Sequence, residues 1–123
     1  VRIESLWDET ALQAGASLAV WAETDTGGRL GADQAGKRGR SSEAIGRYVA
    51  QSLLEDLASG ATVDRYLADQ LILYAALAAG TTEYIIPHPT EHVEANLWLV
   101  EKFGARTSLE GNTVHIEGIG YTR

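Results

Sequence analysis

The sequence predicts an α+β fold, with helices packed on one face of a mixed four-stranded sheet in the order β-α-β-α-β-β. Three observations lead there. Three segments place apolar residues at helical spacing behind a capping side chain. Short apolar or alternating runs separate them. Near the C-terminus, Gly111-Asn112 sits between two alternating runs, the pattern of a two-residue hairpin.

The elements follow in order. Residues 1–7 alternate and read as a strand, and 8–15 are small and polar and read as a loop. Ala16 to Ala22 is apolar enough for a strand buried on both faces, and Gly27-Gly28 ends it. Leu30 to Gly39 carries three glycines and reads as an extended loop. Ser41 or Ser42 can cap a first helix with Glu43 near its positive end; Ile45, Val49, Leu53 and Leu57 form its apolar stripe, and Gly60 closes it. Asp64 can cap a second helix whose buried line is Leu67, Leu71, Ala75 and Ala78, with Gly80 as the stop. Residues 83–87 form a short strand. Thr90 caps a third helix that buries Val93, Leu97 and Val100, with Trp98 and Phe103 adding contacts, and Gly104 ends it. Residues 105–110 and 113–118 are the closing hairpin, and Ile119 to Arg123 extends it or frays.

Composition narrows the function classes. Apolar residues make up 45% and charged residues 22% of 123, ordinary for one globular domain with a core. There is no cysteine, hence no disulfide partner and no thiolate metal site. No apolar run approaches the roughly 18 residues of a membrane span, so no membrane partner is expected and a cytoplasmic location fits. The net charge of −7 argues against a domain that grips nucleic acid alone, because phosphate neutralisation drives such binding. The one basic cluster is Lys37, Arg38 and Arg40. Methionine is absent and Val1 opens directly on strand-like sequence, so a section of a longer protein is expected.

Few residues offer chemistry. His115 alternates with Val114 and Ile116 and reads as an exposed strand residue. His88 lies between Pro87 and Pro89 at a strand exit. His92 begins a helix that follows a strand, the position at which α/β folds place ligands and free N–H groups attract phosphate. Unprotonated imidazole there can attack phosphorus. His88, Glu91 and His92 do not make a helical metal pair, because His88 precedes the helix. Tyr66, Asp69 and Gln70, at i, i+3 and i+4, share a helix face and offer a flat ring, an acceptor and a donor-acceptor amide. A solvated polar face is the plain alternative. No P-loop, nucleophile elbow or zinc spacing is present.

Several blocks together carry a resemblance. Gly31-Ala32-Asp33, Gly36-Lys37-Arg38-Gly39, Leu53-Leu54, the run Val63-Asp64-Arg65-Tyr66-Leu67-Ala68-Asp69-Gln70-Leu71, Ala76-Leu77-Ala78, and then His92, Asn96 and Glu101-Lys102-Phe103 occur in this order. The chain resembles the C-terminal section of the RNA 3'-terminal phosphate cyclases from about Gly15 to Phe103. Asp64 to Leu71 is the specific block.

The resemblance implies an ATP-dependent ligase of RNA processing that converts an RNA 3'-phosphate to a 2',3'-cyclic phosphate through a histidine-AMP adduct. It implies His92 as the adenylylated nucleophile and Tyr66, Leu67, Ala68, Asp69 and Gln70 as the ATP-contacting stretch. It implies ATP as cofactor, with Mg or Mn whose ligands lie outside this chain. RNA 3'-phosphate ends and N-terminal repeats of the same protein are the implied partners, and the isolated section is expected to be inactive. Residues 16–123 would be the last repeat, and 1–15 the tail of an inserted domain before it. Ala95-Asn96 stands where the family often has Thr-Asn. The alternative function is a non-catalytic cyclase-like scaffold in ribosome assembly, which would lack the histidine.

Overall fold

The computed structural model describes residues 1–122. It is an α+β protein with two strands (β1, Ser17–Glu23; β2, Arg29–Ala35), two helices (α1, Ser42–Ala58; α2, Leu67–Leu77), a third strand (β3, Ala79–Ile85), a third helix (α3, Glu91–Lys102) and two closing strands (β4, Arg106–Glu110; β5, Thr113–Ile119). The strands form two antiparallel sheets, β1-β2 and β3-β5-β4, where one mixed four-stranded sheet was expected. Arg123, part of the expected tail, lies outside the described residues.

The helices obey their sequence signals. Ser41 Oγ accepts from the Ala44 amide at 3.2 Å, and Thr90 Oγ1 from the Val93 amide at 3.2 Å. Each hydroxyl satisfies a first-turn N–H that has no partner within the helix. In α1 the stripe of Ile45, Val49, Leu53 and Leu57 faces inward together with Ser52 and Asp56. In α3 Val93, Leu97 and Val100 are buried as expected, whereas Trp98 and Phe103 are mostly exposed and Lys102 Nζ lies 4.9 Å from the centre of the Trp98 ring. In α2 the buried line is Ala68, Ile72, Ala75 and Ala76, with Leu71 packed beside it. That is a correction: Leu67 and Ala78 point outward, because α2 begins one residue further along than a cap at Asp64 implies and is rotated accordingly. Gly80 does not stop the helix. Ala78 turns extended, and Gly80 with φ +88 already belongs to β3.

The main core lies between α2, α3 and one face of the β3-β5-β4 sheet. Ile72, Ile86, Val114 and Ile116 are fully buried there, with Tyr84, Val93, Leu97 and Val100 around them. The other sheet face is polar. Arg106 pairs with Glu117, and His115 Nδ1 lies 3.2 Å from Glu83 Oε2. The expected alternation of His115 with Val114 and Ile116 is therefore present, with the imidazole half-buried on the outer face.

Two expectations at the N-terminus change. Residues 1–16 form no strand and are exposed, since alternation without a partner edge gives no ladder. Leu30 to Gly39 is not a loop throughout, because Arg29–Ala35 pairs with β1 over its whole length. Residues directly paired in an antiparallel ladder share a face. Leu30 and Ala32, opposite Ala22 and Val20, are buried toward α1, while Ala19, Trp21, Gly31 and Asp33 line the other side. So β1 is not buried on both faces. It is the edge of a two-stranded ribbon whose outer face stays open.

Candidate functional site

The open face of the hairpin and the start of α2 enclose a cleft of about 770 Å³. Ala19, Val20, Trp21, Arg29, Gly31, Ala32 and Asp33 come from the hairpin, and Asp64, Tyr66, Leu67 and Gln70 from the other wall. A volume of this order suits a small organic ligand.

Three consecutive residues fasten the second wall, each to a different place. Asp64 Oδ1 accepts from the amides of Tyr66 and Leu67, at 3.1 and 2.9 Å, and so caps α2 from just outside it. Its other oxygen accepts from the Gly31 amide at 3.2 Å and ties the helix start to β2. Arg65 reaches back to α1. Its Nε and Nη2 donate to the Asp56 carboxylate at 3.0 and 2.8 Å, Nη2 also reaches the Ser52 carbonyl and Glu55, and the Arg65 amide bonds Asp56 Oδ2. The Asp56 carboxylate raises the pKa of this guanidinium, which stays charged. Tyr66 then places its hydroxyl 3.1 Å from that of Tyr48 on α1, and this hydrogen bond pushes the Tyr66 phenol up from its ordinary pKa.

The Tyr66–Gln70 stretch therefore divides. Tyr66, Leu67 and Gln70 open onto the cleft. Ala68 is buried, with its carbonyl accepting from the Tyr84 hydroxyl at 3.0 Å. Burial pushes the Tyr84 phenol up to about 12, and the charge of Asp69 adds to the rise. Asp69 thus acts on the Tyr84 side and does not line the cleft with Tyr66 and Gln70. The shared face inferred from i, i+3, i+4 spacing fails because Tyr66 is the residue before the first helical turn, and its side chain leaves at a different angle.

His92 is exposed in the first turn of α3 and does not line the cleft. The two helix starts nevertheless lie at one end of the sheet. Thr62, just ahead of α2, pairs with Ile85 at the end of β3, and the chain passes from there through 86–90 into α3. His88 is exposed in that connection, beside buried Pro87, whose carbonyl accepts from Asn112. Lys37, Arg38 and Arg40 are exposed between β2 and α1. Among the described residues, no three His, Asp or Glu side chains gather to hold a metal ion, and no helix is long and apolar enough to cross a membrane.

Sequence reasoning missed Trp21, Gly31 and Asp33 as one wall, because β2 was read as a loop. The signal was present in the alternation of Leu30 and Ala32, but alanine and glycine carry it weakly.

Fold and cleft together define an α+β domain with a ligand-sized groove where a short hairpin meets the start of a helix. The family model described as RNA 3'-terminal phosphate cyclase (RTC), insert domain, matches residues 1–58 and so extends through α1. Three RNA 3'-terminal phosphate cyclases are similar to this chain. That of Thermococcus onnurineus is 48% identical over 93 residues, 76% of this chain and 26% of its own length. That of Korarchaeum cryptofilum is 40% identical over 104 residues, 84% and 29%. That of Pyrobaculum aerophilum is 34% identical over 117 residues, 91% and 34%. The chain belongs to the RNA 3'-terminal phosphate cyclase family. It spans about a quarter to a third of the length of these relatives.

Proposed function

We propose that this chain is the C-terminal section of an ATP-dependent RNA 3'-phosphate cyclase, with residues 16–123 as its last repeat. The observation that carries the reading is the cleft beside Tyr66 and Gln70, which the Asp64 and Arg65 anchors hold open at the sheet end where α3 also begins. Tyr66 presents a half-exposed ring suited to stacking on a base, and the Gln70 amide can donate to or accept from its edge.

In this reading the chemistry runs in three displacements. An imidazole nitrogen of His92 attacks the α-phosphorus of ATP; a P–N bond forms, the α–β P–O bond breaks and pyrophosphate leaves. An oxygen of the RNA 3'-phosphate then attacks the same phosphorus and releases the imidazole. Finally the 2'-hydroxyl attacks the activated 3'-phosphorus, loses its proton, and expels AMP as the 2',3'-cyclic phosphate closes. Mg or Mn would neutralise the triphosphate, with ligands supplied outside these residues. ATP and RNA ends are the partners, the remaining repeats complete the site, and the cytoplasm is the compartment.

One observation favours the second reading, a non-catalytic cyclase-like scaffold: His92 does not line the cleft. Labelling separates the two. The full-length protein bearing this sequence is incubated with ATP labelled at the α-phosphate, and the adduct is mapped. Acid-labile, base-stable label on His92 is the expected result. Label on another residue would remove His92 from the mechanism, and no label at all would select the scaffold.

A further inference from the structure

The cleft has an aromatic residue on each wall. Trp21 rises from β1 on the open face of the hairpin and is 59% exposed; Tyr66, at the start of α2, is 44% exposed. Aromatic side chains left exposed in one concave site are unusual unless a flat partner covers them. The residue directly across the ladder from Trp21 is Gly31. A Cβ at Gly31 would stand 3.8 Å from Trp21 Cβ and 3.9 Å from Asp64 Oδ2, inside the space between the walls. The missing side chain leaves the floor open. The Asp64 carboxylate, bonded to Gly31 on one side and to Tyr66 and Leu67 on the other, fixes the spacing of the walls.

Charge sets what can enter. Asp33 and Asp64 both line the cleft, and Arg29 is already paired with Glu23. Carboxylates repel phosphate at short range, so the cleft suits an uncharged ring system whose phosphates point outward.

We propose that Trp21 and Tyr66 form a two-sided aromatic clamp for a nucleobase, with Gly31 as its floor. The clamp rests on the nucleotide reading above and adds Trp21 and Gly31 to it as binding residues. Base stacking on an exposed aromatic ring changes affinity by about tenfold or more.

The test is an ATP titration of the 123-residue chain followed by NMR, with a 3'-phosphorylated dinucleotide as a parallel arm. The expected result is upfield movement of the Trp21 indole resonances on saturation. Trp21→Ala should weaken binding about tenfold, Trp21→Phe should retain most of it, and Gly31→Val should abolish it by filling the floor. Trp98→Ala, on the exposed side of α3, should leave it unchanged. Shifts at Trp21 with the dinucleotide and not with ATP would keep the clamp and assign it to the RNA base. If Tyr66→Ala weakens ATP binding and Trp21→Ala does not, the clamp is wrong and the nucleotide site stands. If neither ligand moves any resonance at millimolar concentration, both the clamp and the nucleotide site are refuted.

Discussion

Arg65→Ala is expected to lower the unfolding free energy by about 3 to 5 kcal/mol, the usual effect of leaving one member of a buried ion pair alone. Asp56 is only 1% exposed, on the inner face of α1. Its carboxylate is tolerated there because the Arg65 fork donates to both oxygens and the Arg65 amide donates to one of them. Alanine keeps the amide bond and removes the guanidinium. The buried charge then has neither water nor a counter-ion. Arg65→Lys should recover only part of the loss, since a single ammonium cannot reproduce the planar fork or also reach the Ser52 carbonyl. Urea unfolding of the three proteins measures this. An Arg65→Ala variant within about 0.5 kcal/mol of the parent, as for an ordinary surface ion pair, would show that Asp56 has another source of compensation. The same substitution bears on the cleft, because Arg65 immediately precedes Tyr66 and joins that wall to α1.

That anchor also shows what the sequence could and could not reveal. Ser41 and Thr90 announced their helices because a cap acts through residues three positions away, within the reach of local pattern. The final hairpin was legible at Gly111-Asn112 for the same reason. The Asp56–Arg65 pair joins residues across a loop, and nothing in a helix stripe marks an aspartate for burial. Only the folded path of 59–64 brings the two together. Strand β2 was obscured for a different cause. Its inward residues, Leu30 and Ala32, alternate correctly, but Gly31 and Gly36 suggest a breaker to any local reading. In the structure Gly31 is a strand residue without a side chain, and its effect is to leave the cleft floor open. The candidate site was half visible. Tyr66 and Gln70 could be named from their block, whereas Trp21 joins them only through a strand pairing that the glycines hid. Residues 1–7 err in the opposite direction: they alternate like a strand, but no edge is there to pair with them.

Gly118→Ala is expected to be comparably damaging, by at least about 3 kcal/mol, at the upper end of overpacking costs. The position is in β5, paired with Gly80 of β3, and its backbone conformation is open to any residue. The obstacle is space. A Cβ there would lie 2.2 Å from the Ala78 carbonyl oxygen and 2.4 Å from that of Ala75. Both are main-chain atoms at the end of α2, so no side-chain rotation relieves the clash. They cannot retreat freely either, because Ala78 O accepts from the Gly120 amide and Leu77 O from the Tyr121 amide, which hold the helix end against the strand. The alanines of α2 and this glycine together permit a helix to rest directly on a strand backbone. Gly46→Ala provides the internal control. It lies within α1 with nothing within 4 Å of a new Cβ, so alanine should stabilise the protein by about 0.5 to 1 kcal/mol through reduced chain entropy. Thermal unfolding of both variants should move in opposite directions. A Gly118→Ala protein that melts with the parent would mean that α2 can lift away from β5 at little cost, and the helix register that sets the Tyr66 wall would then be less firmly fixed than its contacts imply.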